Sequence, residues 1–184
     1  MSGEAPAAHR AYAPGSLGCA VLTVSDSRTT ADDSSGRAIR ERLESAGHRV
    51  VEHSIVSDDR EAIQFAVLRA LARAEVDAVI ATGGTGISPR DVTPEAIAPL
   101  VEKELPGFGE LFRLLSFQEI GSAALLSRAL AGTTAGKAVF VLPGSSGAVK
   151  LGMERLIVPE LAHLVGQLRR ADRAPSGHGE KHRK

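Results

Sequence analysis

The sequence has 184 residues, 43 % of them hydrophobic, and its 22 basic side chains balance 22 acidic ones. That length and apolar content suit one domain with its own core and short tails. Zero net charge argues against an electrostatic nucleic-acid binder, and no apolar run approaches the roughly 20 residues a membrane helix needs.

Met1 to Ser16 is rich in Ala, Gly, Pro and Ser and lacks the apolar stretch of a secretory signal, so it reads as a flexible arm. Leu17 to Val24 is an apolar first strand. It contains Cys19, the only cysteine, which is expected to be a buried structural thiol. A lone cysteine excludes a disulfide framework within the chain and suits a cytoplasmic setting. The six histidines are scattered and form no zinc-like cluster.

Arg37 to Ala46 is a helix stopped by Gly47. Arg49 to Val56 is a second strand, rich in branched residues, and Glu61 to Arg73 a second helix. Ala78 to Thr82 is a short apolar strand. Thr93-Pro94 opens another helix, with Thr93 as its N-cap, and Pro106-Gly107 breaks it. Phe108 to Leu115 and Ile120 to Leu130 read as two more helices. Ala138 to Leu142 is a strand ended by Pro143-Gly144. Ser146 to Arg170 is helical with an interruption at Pro159, and Ala171 to Lys184 is a polar, disordered tail. The domain therefore spans residues 17–170. Strand–helix alternation with fully apolar strands implies an α/β fold: a mostly parallel sheet covered by helices on both faces.

Folds of this kind bind ligands at the carboxyl ends of their strands. Four strands end in polar or glycine-rich segments, which a parallel sheet would gather on one edge. After the third strand comes Gly83-Gly84-Thr85-Gly86. Its glycines let backbone N–H groups turn toward an anion, Thr85 adds a hydroxyl, and Arg90 offers a charge-assisted contact to phosphate. The loop is neither a Walker A motif nor the dinucleotide fingerprint, since Pro89 stands where the last glycine of that fingerprint belongs.

Asp91, just before Thr93, suits either a carboxylate that holds Mg²⁺ against ligand phosphates or a salt-bridge or local turn partner, and spacing alone favours neither. Asp58 follows the second strand. On residue pattern alone, Asp58-Asp59-Arg60-Glu61 favours Asp58 as a helix N-cap. Ser25-Asp26-Ser27-Arg28 ends the first strand with hydroxyls and an arginine that suit phosphate and equally suit a solvated strand-to-loop exit. Asp32-Asp33-Ser34-Ser35-Gly36 reads as the cap of the next helix, and Gly144-Ser145 resembles an anion nest. The residues alone thus describe a phosphate-ligand α/β domain with a carboxylate, Asp91, of the kind that serves magnesium.

At these same positions the sequence resembles the MoaB/MogA family of molybdenum-cofactor biosynthesis proteins. The resemblance rests on Thr23-Val24-Ser25-Asp26, the run from Thr82-Gly83-Gly84-Thr85-Gly86 to Arg90-Asp91-Val92-Thr93-Pro94-Glu95-Ala96, Pro106-Gly107-Phe108-Gly109-Glu110, Leu126-Ser127-Arg128 and Pro143-Gly144-Ser145. It covers about residues 17 to 168, and the segment Phe112 to Gly121 looks closer to the MoaB branch. The last loop departs from the MogA pattern, which carries a second proline. The resemblance implies a three-layer α/β/α molybdopterin-binding domain. It further implies AMP transfer from Mg-ATP to the terminal phosphate of molybdopterin. Asp58 and Asp91 would be the two essential acids that place Mg²⁺. Ser25, Gly83, Gly84, Thr85, Gly86, Arg90, Gly144 and Ser145 would bind phosphate and pterin. The alternative within the family is a non-catalytic molybdopterin-binding protein. A homotrimer or homohexamer, and handover of the product to the molybdate-inserting enzyme, are further implications of the resemblance.

Overall fold

A computed structural model describes residues 14–171. The arm and tail expected at the two ends therefore fall largely outside the described residues. In chain order the elements are β1 (Gly18–Val24), α1 (Ser34–Ser45), β2 (Arg49–Val56), α2 (Arg60–Ala72), β3 (Ala78–Thr82), α3 (Thr93–Ile97), β4 (Lys103–Glu104), α4 (Pro106–Ile120), β5 (Leu130–Thr134), β6 (Lys137–Leu142), α5 (Ser146–Gly152) and α6 (Val158–Ala171). The six strands form one sheet in the order β2-β1-β3-β6-β5-β4. The pairs among β2, β1, β3 and β6 are parallel, while β5 runs antiparallel to both of its neighbours.

Alternation along the central strands divides the core in two. Cys19, Val21, Ile80, Phe140 and Leu142 pack on one face beneath α1, α4, α5 and α6. Leu22, Val24, Val79, Ala81 and Val141 pack on the other beneath α2 and α3. The three-layer α/β/α expectation is met. Cys19 is buried, and burial first, with the negative charge of Asp77 adding to it, pushes its thiol up to about 12. That is the behaviour of a structural thiol.

Several expected boundaries move, each for a local reason. Helix α1 begins at Ser34 rather than Arg37, because the Asp33 side chain accepts the Gly36 N–H at 2.9 Å and starts the helix earlier. Val92, not Thr93, is the N-cap of α3, and the Thr93 hydroxyl makes no cap hydrogen bond. Pro106 opens α4 at its first turn instead of merely ending the preceding helix. Nothing breaks the chain between Leu115 and Ile120, so the first of the two expected helices runs on to Ile120 and stops where Gly121 takes φ +62°. In place of the second, Gly121–Leu126 forms a short 3-10 segment that leads to β5. Leu130 belongs to β5, a strand the sequence pattern does not announce. A two-residue turn, Ala135-Gly136 with both φ positive, folds β5 onto β6. Finally, Pro159 lies inside α6. The interruption comes just before it, as a π segment over Met153–Ile157 that absorbs the missing N–H and the crowding of the Arg155 carbonyl.

His48 follows the turn after α1. It is buried, its Nδ1 has no hydrogen-bond partner, and burial pushes its pKa down from 6.5. The unfolded chain therefore binds this proton first as pH falls. The neutral ring's contribution to stability is complete above about pH 6.5 and is lost as pH drops toward the folded value. Urea midpoints of the native chain are expected to fall between pH 7 and pH 5.5 more steeply than those of His48→Gln. Parallel slopes would contradict this.

Candidate functional site

The four parallel strands deliver their carboxyl-end loops to a cleft of about 280 Å³. Thr23, Val24, Ser25 and Arg28 come from the end of β1, Asp58 from β2, Thr82, Gly83 and Gly84 from β3, and Gly144 from β6. Asp91, ahead of α3, and Ser35, in the first turn of α1, complete the lining.

The helix after β2 is capped by Asp59, whose carboxylate accepts the Ala62 N–H at 2.9 Å. The expected cap, Asp58, is thereby free for another role. Its Oδ2 accepts the Asp26 N–H at 3.1 Å, and the Asp26 carboxylate accepts the Asp58 N–H, also at 3.1 Å. This reciprocal pair ties the β1 and β2 loops together. Burial lifts the Asp58 carboxyl above its ordinary pKa. The Asp26 N–H opposes that lift, whereas the negative charges of Asp26 and Asp91 reinforce it. Asp91 moves the other way. Hydrogen bonds from Ser88, one of them from its N–H at 2.9 Å, hold it below the usual carboxylate range. Two carboxylates of one site are thus separated in acidity by their surroundings.

The glycines explain how both carboxylates reach the cleft. A Cβ on Gly84 would lie 2.4 Å from the Thr93 hydroxyl and 2.8 Å from Asp58 Oδ1, and one on Gly86 would lie 2.7 Å from Asp91 Oδ2. Gly83 and Gly84 also take positive φ, +98° and +59°. Gly84 and Gly86 each leave room for one carboxylate, a function the anion-nest reading does not include.

The remaining candidates divide. Ser25 lines the cleft, and its Oγ accepts the N–H groups of Ser27 and Arg28 at 3.3 Å. Gly144 lines it as well. Ser145 is the N-cap of α5, its Oγ accepting the Ala148 N–H. Thr85 is turned inward and buried, so its hydroxyl is not part of the cleft. Arg90 is ion-paired with Asp26 and mostly solvent-exposed rather than lining the cleft. The cation in the lining is Arg28.

Arg128 is a supporting residue that its motif marks without revealing its task. Nε donates to the Thr85 carbonyl at 3.0 Å, Nη2 donates to the Asp91 carbonyl at 2.7 Å, and Nη1 pairs with Glu95. One guanidinium thus fixes the glycine loop against the Asp91 backbone. Arg128→Ala is expected to lower unfolding free energy by about 1–3 kcal/mol and to weaken ligand binding at the cleft. Unchanged urea denaturation together with unchanged binding would refute that role.

A mostly parallel α/β sheet with a two-carboxylate, glycine-lined cleft at its carboxyl edge defines a class: α/β proteins whose ligand sites lie across strand ends. Residues 20–163 match the family described as "Probable molybdopterin binding domain", and the chain belongs to that family. Molybdenum cofactor biosynthesis protein B of Halalkalibacterium halodurans is 54 % identical over 161 residues, covering 87 % of this chain and 95 % of the relative. The protein of the same name from Bacillus subtilis is 54 % identical over 163 residues, covering 88 % and 96 %. Among solved structures, a crystal structure of molybdenum cofactor biosynthesis protein B superposes with TM-score 0.84 at 52 % identity, covering 86 % of this chain and 99 % of the other. The tungsten cofactor synthesizing protein MoaB from Pyrococcus furiosus gives 0.78 at 41 %, covering 85 % and 99 %. The resemblance to the MoaB/MogA proteins is therefore borne out.

Proposed function

We propose that this chain acts in molybdenum cofactor biosynthesis as a molybdopterin adenylyltransferase. The observation that carries this reading is the convergence of Asp58 and Asp91 on one glycine-lined cleft, each over its own glycine. An oxygen of the molybdopterin terminal phosphate attacks the α-phosphorus of ATP. A new P–O bond forms, the α–β bridging P–O bond breaks, and pyrophosphate leaves with the electron pair. Neither carboxylate needs to accept a proton, so the protein's work is positioning and charge neutralisation.

Asp58 and Asp91 fit a magnesium ion, which favours one or two carboxylates, water and phosphate oxygens over an all-protein cage. Among the described residues no three His, Cys, Asp or Glu side chains gather as such a cage. When bound, the ion would neutralise charge on the triphosphate. Ser25, Gly83, Gly84 and Gly144 present hydroxyl and backbone groups to the phosphates, while Arg128 keeps the loop in register. The reading includes assembly into homotrimers or homohexamers, supported by the exposed Leu111, Leu114 and Phe117 along α4, while Phe112 of the same helix is core. Light scattering measures that mass. Handover of the product to the molybdate-inserting enzyme belongs to the same proposal.

One observation favours a second reading, molybdopterin binding without catalysis. Arg90 is turned to Asp26 and lies outside the cleft lining, so the glycine-loop arginine does not face the triphosphate position in this arrangement. Purified protein with molybdopterin and Mg-ATP discriminates the two. Pyrophosphate release above the molybdopterin-free rate supports transfer, whereas binding without release supports the second reading.

A further inference from the structure

We propose that Arg28 is the cationic ligand for a substrate phosphate in this cleft, and that the buried Asp33 behind it is the residue that positions it. The inference rests on the phosphate-ligand reading of the site and adds a residue-level recognition device to it.

Charge balance gives the first reason. The cleft lining carries two carboxylates, Asp58 and Asp91, and a single cationic side chain, Arg28. Arg90, the cation expected from the glycine-loop motif, is engaged with Asp26. A magnesium ion held by Asp58 and Asp91 would do little more than balance those two carboxylates, so the phosphate's own charge still calls for a cationic side chain.

Geometry gives the second. The Arg28 side chain is 32 % exposed and uses one end of its fork against the protein. Nη1 donates to Ser35 Oγ at 3.1 Å and to Ser34 Oγ at 3.4 Å, and it lies 3.6 Å from Asp33 Oδ1. Nε and Nη2 make no hydrogen bond to another described residue. A guanidinium held at one nitrogen with the others open is pre-organised for a bidentate phosphate contact. Ser35 extends the link, since its Oγ donates to the Gly144 carbonyl at 2.7 Å. Arg28 is thereby connected to the loop after β6 on the far side of the cleft.

The anchor behind Arg28 is built from three elements. The Asp33 side chain is fully buried. Its Oδ2 accepts Thr23 Oγ1–H from β1 at 2.6 Å and the His53 Nε2–H from β2 at 2.8 Å, while Oδ1 accepts the Gly36 N–H of α1. Arg40 Nη2 lies 3.3 Å from His53 Nδ1. That contact makes Nδ1 the acceptor and leaves Nε2 to donate to Asp33. The cluster is tight: a Cβ on Gly36 would lie 2.2 Å from Asp33 Oδ2 and 2.3 Å from His53 Nε2. Burial alone would raise the Asp33 pKa, but the hydrogen bonds from Thr23, Gly36 and His53 outweigh it and hold it below the usual range. A buried, ionised carboxylate locked on three sides is a fixed negative point that draws Arg28 to one place.

The test is a binding cycle in which Mg-ATP and molybdopterin are titrated separately into the full chain, so that the two phosphate sources are distinguished. Arg28→Gln is expected to weaken at least one of them by about tenfold to a hundredfold, with Arg28→Lys intermediate. If Asp33 acts through Arg28, Arg28→Gln/Asp33→Asn loses no more affinity than Arg28→Gln alone. Losses that add would overturn the positioning role and leave Asp33 merely structural. Binding of both ligands within twofold of the native chain in Arg28→Gln would overturn the proposal itself. Absence of pyrophosphate release by the native chain would count against the adenylyltransferase reading alone, because the affinities are read without turnover.

Discussion

Replacing Asp91 or Asp58 by asparagine is expected to reduce the proposed AMP transfer by about a hundredfold to a thousandfold, while the fold is retained. Asparagine preserves shape and one acceptor oxygen but removes the negative charge. In phosphoryl chemistry that charge holds the metal-bound triphosphate in line for attack, and losing such electrostatic positioning typically costs about 3–4 kcal/mol of transition-state stabilisation or more. The two variants should differ in stability. Asp58 has a raised pKa, through burial first and then its acidic neighbours, so neutralising it relieves a cost. Asp91 has a lowered pKa, set first by its Ser88 hydrogen bonds. Near neutral pH, Asp58→Asn should be at least as stable as the native chain and Asp91→Asn slightly less so. Steady-state pyrophosphate release and thermal melts check both. Either variant with native activity would refute the assignment of the acids.

Gly83→Ala is expected to be the most damaging single-atom addition in the site. The residue sits at φ +98°, where an L side chain is strained, and the new Cβ would lie 2.3 Å from the Val24 backbone carbonyl. No side chain can rotate away to relieve that contact, so β1 and the loop must separate. The strain and overpacking together are worth on the order of 3 kcal/mol or more. For a chain of this size that is roughly a 6–12 °C fall in Tm. Gly84→Ala should be milder in stability, because its clashes are with side chains at a φ of +59°, yet equally damaging to ligand binding, since it displaces Asp58. A Gly83→Ala protein melting with the native chain would contradict the close approach of β1 and the loop.

The sequence makes β1, β2, β3 and β6 legible because each is a short apolar or branched run bounded by turn residues, and their parallel arrangement follows from the helices between them. It hides β4 and β5. Lys103–Glu104 is two charged residues, and Leu130–Thr134 is built from small side chains without alternation. Their strand character comes from pairing across the sheet rather than from local preference. The glycine loop and Asp91 are readable because they are contiguous. Asp58 is ambiguous from sequence, since adjacent aspartates can each cap the helix, and only the geometry at Asp59 assigns the cap. Asp26 goes unrecognised because its partner is 32 residues away, and their meeting depends on β1 and β2 being neighbours. Thr85 and Arg90 show the opposite limit. Residue type suits them to phosphate, but in the fold Thr85 is buried and Arg90 faces Asp26, both outside the cleft lining.

The proposed AMP transfer to molybdopterin depends on the two carboxylates over the glycine-lined cleft. The most direct measurement is pyrophosphate release by the purified full chain, supplied with molybdopterin and Mg-ATP, beside the same reaction with Asp91→Asn. Release is expected to require molybdopterin and to fall to background in the variant. Molybdopterin binding with no release from the native chain, or equal release from both proteins, would contradict it.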